Sequence, residues 1–400
     1  MTFLHPDLEE ILARTQGIPI FQEQAMAIAM KLGGYTGARA DALRRTMGNI
    51  RKKGRLEAAL VEMKQAMLAR AASGAIAPLS EETATRICDD LVSFANYGFP
   101  ESHAWSFALI AYVTAYLKAH YPTEFFIGAL NAQPMGFYPV STLVHDAKRF
   151  GVEVRPPCLL VGSRECTYED GAMRVGWRFV RGIGDTVLDA LEAARKKCPF
   201  TSIRDVVRRA KLNRDDVLAF AQADAFAAWA KDRRHAAWEG LHASGDVLPL
   251  APAAATPHDP VPITPDDLIF LDYHAVGMSI AGHPMASVRD KLVRGGAIDT
   301  RQLAKMPNGR KVTIGGLVTV RQRPATAGGT IFLLLEDEWG YANIVVPKPL
   351  VAPNEEVVKR DPFVLVQGRV ENDGSAISVV GQKFKTLDVG ALTHRAHEFR

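Results

Sequence analysis

Apolar side chains recur at three- and four-residue spacing along the first part of the chain, as in Phe21, Ala25, Ile28, Ala29 and Leu32, which predicts amphipathic helices over residues 1–150. Gly33-Gly34 stops the first of these, and Thr36 is placed to cap the next. Residues 151–170 are mixed, with a short strand expected at Val152–Val154 before Pro156-Pro157. Helical spacing returns from Val175 to about Leu241, broken at Gly182-Ile183-Gly184 and around Leu212-Asn213. Five prolines between residues 251 and 265 exclude a regular helix or central strand there and mark a linker. A short helical piece follows, up to Gly282-His283-Pro284.

The period then changes. Val312–Val320, Thr330–Leu335, Tyr341–Val346, Phe363–Val370 and Ala376–Phe384 read as five strands, with turns at Gly328-Gly329, Trp339-Gly340 and Asn372-Asp373-Gly374. Five strands without a long helix fit a small OB-type barrel. The expected fold is therefore multidomain: a mainly α region at 1–170, tandem helix-hairpin-helix units at 171–245, a Pro/Ala-rich linker and short helical connector at 246–290, and an all-β barrel at 291–400. The most apolar helix, Trp105–Leu117, is shorter than the roughly 20 residues of a membrane span and is expected to be buried.

Bulk composition adds little. Net charge is +4 over 400 residues, so attraction to nucleic acid must come from clustering. The acidic, non-apolar N-terminus is not a signal peptide. The four cysteines form no CxxC pair and suit a reducing, cytoplasmic setting.

Four segments could carry chemistry. Residues 31–55 hold eight Lys/Arg against the single acid Asp41; a helix presenting Arg44 and Arg45, with Lys52 and Lys53 beyond, can hold a triphosphate or a DNA backbone, or can simply be a solvated face in which Asp41 and Arg45 pair. Ser102 and His103 open the apolar helix after a Gly/Pro loop, where free amides favour an anion; a cap and a packed ring are the plainer reading. Val180-Arg181-Gly182-Ile183-Gly184 has the form of a helix-hairpin-helix turn in which Gly182 and Gly184 let backbone amides approach a phosphate, although such turns also connect helices without binding anything. On the barrel, Phe332, Trp339, Tyr341, Arg321, Arg323, Lys348 and Arg369 are candidates for stacking bases beside a cationic groove, and some of these must be core or rim. Gln222-Ala223-Asp224-Ala225-Phe226 loosely resembles a sliding-clamp peptide, but its place inside a helical unit favours packing.

Other chemistry is missing from the sequence. There is neither a GxxxxGK[ST] loop nor an HExxH. Two-metal nucleotide transfer needs converging carboxylates. Only Glu336 and Glu338 have the i,i+2 spacing that shares a strand face, and they run into a turn. Asp89-Asp90, Asp215-Asp216 and Asp266-Asp267 read as cap or surface acids. No catalytic residue, metal site or bound cofactor is therefore expected in this chain.

Gly17-Ile18-Pro19-Ile20-Phe21-Gln22-Glu23-Gln24 and Ala40-Asp41-Ala42-Leu43-Arg44-Arg45-Thr46-Met47 resemble the fingers of bacterial DNA polymerase III alpha-type (C-family) enzymes. Tyr97-Gly98-Phe99-Pro100-Glu101-Ser102-His103-Ala104 is similar to that family's glycine-phenylalanine and serine-histidine segment. Asn131–Tyr138, with Pro100-Glu101, resembles the error-prone branch, and Gly282-His283-Pro284 resembles the segment preceding the family's OB domain. The resemblance covers essentially the whole chain. It implies the C-terminal portion of an error-prone DNA polymerase used in translesion synthesis and repair. Arg44, Arg45, Ser102 and His103 would lie near the incoming dNTP, with primer-template duplex and single strand as partners and no membrane. A sliding clamp and mutasome proteins are further candidate partners. Mg²⁺ is implied in the complete polymerase, whose palm and phosphoesterase-like domain would lie upstream of Met1, so the isolated chain is expected to be inactive. The competing reading is a stand-alone single-strand-binding accessory protein with an OB fold. A third, a tRNA-binding OB appendage, sits poorly with the glycine hairpin.

Overall fold

The apolar repeat at Ala25, Ile28, Ala29 and Leu32 becomes the buried stripe of α1 (Gln22–Lys31). The computed structural model describes residues 3–47, 53–95, 100–135, 139–244, 262–324, 327–389 and 397–399, which leaves most of the proline-rich linker outside the description. The described chain divides into two units, Met1–Tyr116 and Leu117–Arg400.

In the first unit α1 ends before Gly34, whose φ of +67° only glycine adopts freely. The Thr36 hydroxyl then accepts from the Arg39 amide and starts α2 (Gly37–Met47). α3 (Lys53–Ala72) and α4 (Glu81–Ala95) complete a core of Ile28, Leu32, Leu43, Met63, Met67, Ile87 and Leu91. Each of these large side chains contributes about 1.5–3 kcal/mol by leaving water. α5 (Glu101–His120) corrects the expectation of a buried helix: none of its residues is buried, and Trp105 and Tyr112 are 70% and 69% exposed. Its apolar residues are spread around the helix instead of forming one stripe, so no single packing face is available to its own unit.

The second unit begins with α6 (Pro122–Asn131) and α7 (Val140–Arg149). The strand expected at 152–154 forms at Val154–Arg155 (β1). It pairs in parallel with β3 (Ala172–Arg174), which pairs antiparallel with β2 (Thr167–Glu169). Trp177 is fully buried in the core of this unit and donates from Nε1 to the Cys158 carbonyl at 2.9 Å. Around it pack α8 (Asp185–Lys197), α9 (Ile203–Ala210), α10 (Arg214–Gln222), α11 (Arg233–Ala243) and α12 (Pro265–Val276). The clamp-like segment belongs to this core, with Ala225 and Phe226 fully buried. α13 (Arg289–Arg294) and the single turn α14 (Thr300–Leu303) lead into the barrel.

All five expected barrel strands form: β4 (Lys311–Gln322), β5 (Ile331–Glu336), β6 (Tyr341–Val346), β7 (Phe363–Asn372) and β8 (Ile377–Thr386). The order β5-β6-β8-β7-β4, closed by a β4–β5 pairing, with short helical turns between β6 and β7, is that of an OB fold. β9 (His397–Phe399) adds to β4 in parallel. β4 pairs with β7 up to Leu317 and with β5 from Leu317 onward, and beside this switch an added Cβ at Gly316 would stand 2.9 Å from the Leu335 Cβ. Ile314, Val318, Leu333, Leu335, Ile344, Val364, Val366 and Val379 fill the interior.

A candidate nucleic-acid interface

Two hairpins present backbone and positive charge to solvent. The first is Arg181–Gly184. Gly182 has φ +84° with nothing near its Cβ position, and Gly184, in extended backbone, forms the N-cap of α8 without any capping side chain. Arg181, Gly182 and Gly184 are exposed, and Ile183 anchors the loop against the core. Asp185, the first helical residue, would repel an anion, but Arg164 pairs with it and with Asp189, the latter at 2.7 Å. The helix start thus keeps its amides and dipole while its acid is offset.

The second hairpin, Lys211–Asn213, joins α9 to α10, with Lys211 in the left-handed region at φ +55°. Here the amides are partly engaged: Asn213 and Asp216 form a reciprocal capping box at 2.9 and 3.0 Å. Lys211 and Arg214 are exposed beside it. The acid pairs at 215–216 and 266–267 serve these helix starts, as Asp267 likewise caps α12 with Thr264.

On the barrel, strand register brings the candidates into line. Gln322 is opposite Phe332, Phe332 opposite Val345, Val345 opposite Val380, Val380 opposite Arg369, and Arg369 opposite Lys311. These outward residues form one cross-strand row along the barrel wall, with the exposed Arg369 three strand spacings, about 14 Å, and the exposed Lys311 four spacings, about 19 Å, from the half-exposed Phe332. Arg369 and Lys311 are like charges directly opposite, an unfavourable pair unless an anion lies over them. Lys383, opposite Gln367, and the exposed Arg323 and Lys348 flank the row.

The other barrel candidates are committed elsewhere. Arg321 is buried, with Nε donating to the Val358 carbonyl at 3.0 Å and Nη2 to that of Asp361. It clamps the β6–β7 connection onto the barrel and is not part of the exposed face. Tyr341 lies beneath the Arg149 guanidinium, 4.4 Å from the ring centre. Trp339 is covered by Arg301 at 3.6 Å and Arg289 at 5.1 Å, and its turn is pinned by the buried Asp337, which accepts from the Trp339, Gly340 and Thr300 amides.

In the first unit Arg44 and Arg45 both fork onto Asp41, at 2.8 and 2.7 Å, and Arg44 also reaches Gln22 at 3.1 Å. Lys52 and the side chain of Lys53 lie outside the described residues. Ser102 and His103 are exposed, His103 resting on Phe107 with ring centres 4.5 Å apart. At this helix start the Glu101 amide already donates to Glu23 at 3.0 Å, and the Glu101 carboxylate pairs with Arg14.

Residues 1–71 match the bacterial DNA polymerase III alpha subunit finger domain, and residues 151–236 match a helix-hairpin-helix motif. The error-prone DNA polymerase of Anaeromyxobacter sp. (strain K) is 41% identical over 408 residues, covering 98% of this chain and 35% of the relative. That of Azoarcus sp. (strain BH72) is 37% identical over 416 residues, covering 99% and 38%. Residues 1–71 thus match the finger domain of the bacterial DNA polymerase III alpha family, and nearly the whole chain is similar to error-prone DNA polymerases. The chain spans little more than a third of the length of these relatives. Among solved structures, the asparaginyl-tRNA synthetase of Pyrococcus horikoshii is 26% identical over 23% of this chain and 22% of its own, at a TM-score of 0.20.

The family's nucleotide transfer needs converging carboxylates, and Glu336 and Glu338 do not converge. Glu338 pairs with Arg289, whereas Glu336 pairs with Arg149 at 2.9 Å. Glu336 instead belongs to a buried cluster with His145 and His283, whose donor atoms lie within 4.8 Å of one another. Burial opposes the Glu336 charge, but the His145 and His283 rings and the Arg149 guanidinium together hold its pKa below the ordinary carboxylate value. The trio does not suit a metal: the Met285 amide donates to His283 Nδ1 at 3.1 Å, so the neutral ring carries its proton on Nε2, the atom facing the cluster. Burial and the neighbouring His145 hold His283 well below its ordinary pKa.

Sequence reasoning missed Lys211, Arg214, Lys311 and Lys383. The first two flank a hairpin that was legible at Leu212-Asn213. The last two gain meaning only from cross-strand register, which no local pattern shows.

Proposed function

We propose that this chain grips DNA for an error-prone DNA polymerase, holding the primer-template backbone through the Arg181–Gly184 and Lys211–Arg214 hairpins and single-stranded template along the Phe332–Lys311 row. The observation that carries this reading is the first hairpin: an exposed, uncapped helix start with a left-handed glycine and its nearest acid offset by Arg164. Such a site takes a phosphate through backbone amides without reading sequence. The Phe332 ring, with Arg369 and Lys311 farther along the same row, suits base stacking combined with backbone neutralisation. In this reading Arg44 and Arg45 serve the incoming dNTP when Asp41 releases them, damage-tolerant synthesis is the setting, and nucleotide transfer with Mg²⁺ requires carboxylates supplied from outside this chain.

The test is binding of labelled primer-template and single strand across a salt series. Lys311→Ala with Arg369→Ala should weaken both and flatten the salt dependence, whereas Phe332→Ala should weaken single-strand binding more than duplex binding. Salt-independent or absent binding overturns the reading. Tight single-strand binding unaltered by removing residues 1–150 would favour the accessory-protein alternative. Primer extension by the chain alone would refute the assignment of catalysis elsewhere.

A further inference from the structure

α5 carries no charged residue between Ser102 and Leu117 other than His103, and every one of its large apolar side chains is exposed: Trp105, Phe107, Leu109, Ile110, Tyr112 and Val113 at 45–70%. At 100° per residue these cover more than half of the helix circumference, and Ala104, Ala108, Ala111 and Ala115 cover the rest. With full side-chain areas on the order of 150–250 Å² for the aromatics, the exposed apolar surface is roughly 800 Å². That exceeds the largest patch of an ordinary monomer and equals one partner's share of a stable interface. No described helix is long and apolar enough to cross a membrane.

The distribution of apolar residues also limits the occupant. A peptide or a flat symmetric contact covers one stripe, whereas a helix that is apolar on all sides is enclosed by a folded body. The family members extend well beyond the third that this chain matches. We propose that α5 is a docking helix for the part of an error-prone DNA polymerase that lies outside this chain, enclosed by that body with Trp105, Leu109 and Ile110 as its anchors. The surface starts at Glu101, where the Arg14 ion pair and the Glu23 carboxylate on the Glu101 amide fix the helix origin, so the chain presents it preformed.

The test takes the full chain and the remainder of the Anaeromyxobacter sp. (strain K) enzyme outside its aligned stretch, mixed at low micromolar concentration. Light scattering on a sizing column and hydrogen exchange over residues 101–120 are read. A one-to-one complex that slows exchange there at least tenfold is expected, and Leu109→Glu with Ile110→Glu should abolish it. Both substituted side chains are exposed, so the variant should melt as the parent chain does. Any of four results overturns the proposal: no complex, a complex leaving 101–120 unprotected, protection in the monomeric chain alone, or protection that appears only on self-association. DNA affinity is not read, so the outcome is independent of the gripping function.

Discussion

Replacing Gly184 by valine separates a backbone phosphate contact from everything else at the first hairpin. A Cβ at Gly184 meets nothing within 4 Å, and the residue already has extended backbone at φ −95° and ψ 170°. The fold should therefore lose no more than about 1 kcal/mol, the difference between glycine and a β-branched residue at an N-cap. In the complex, however, the side chain would stand where the phosphate approaches the amides. One charge-assisted amide–phosphate bond is worth about 1.5–3 kcal/mol, which predicts a loss of roughly 10- to 150-fold in duplex affinity. The amide carries no formal charge, so the slope of log affinity against log salt should not change. Arg181→Ala and Lys211→Ala should each reduce that slope by about 0.9. Fluorescence anisotropy on a primer-template at several salt concentrations, with a thermal melt of each variant, reads all three quantities. Unaltered affinity for Gly184→Val at an unaltered melting temperature would show that the turn only connects helices.

Other outcomes follow from buried polar groups. Asp272 accepts from Arg233 at 2.6 Å and from the Ile280 and Ala281 amides at 2.7 and 2.8 Å; Asp272→Ala strands a buried guanidinium at a cost of about 3–5 kcal/mol, and a melting drop under a few degrees would refute this. His283 has a depressed folded pKa, so below its unfolded value of about 6.5 the unfolded chain binds the extra proton and stability falls with falling pH. His283→Asn, which can still accept from the Met285 amide, should reduce that acid loss in urea melts at pH 7 and pH 5, and equal losses in both proteins would count against the burial argument. Cys198 is the exposed cysteine, whereas burial pushes the Cys88 and Cys166 thiols up to about 11. A thiol reagent at pH 7.5 should therefore label one site in the native chain and four in denaturant, and rapid native labelling of Cys88 or Cys166 would contradict the packing.

The barrel was legible because its strands alternate and its turns carry glycine, and the α1 and α2 boundaries because Gly33-Gly34 and Thr36 act locally. The β2–β3 hairpin escaped notice although Asp170-Gly171, with φ of +52° and +86°, is a strong two-residue turn signal; its strands are only three residues long. Arg321 shows the reverse limit. A cation on a strand looks solvent-facing in sequence, and only the carbonyls of Val358 and Asp361, well downstream, show that it is a clamp. The α5 expectation failed because an all-apolar helix signals that it must be covered without specifying what covers it.

The two hairpins have different helix starts, one with uncapped amides and the other partly closed by the Asn213–Asp216 box. A phosphate at the first is fixed in direction by the amides that hold it. At the second it would be held chiefly by the mobile ends of Lys211 and Arg214, which accept a range of positions. Under the proposed function such a grip would have one pivot and one sliding foot, so that a bent duplex could turn about the first point without letting go of the second.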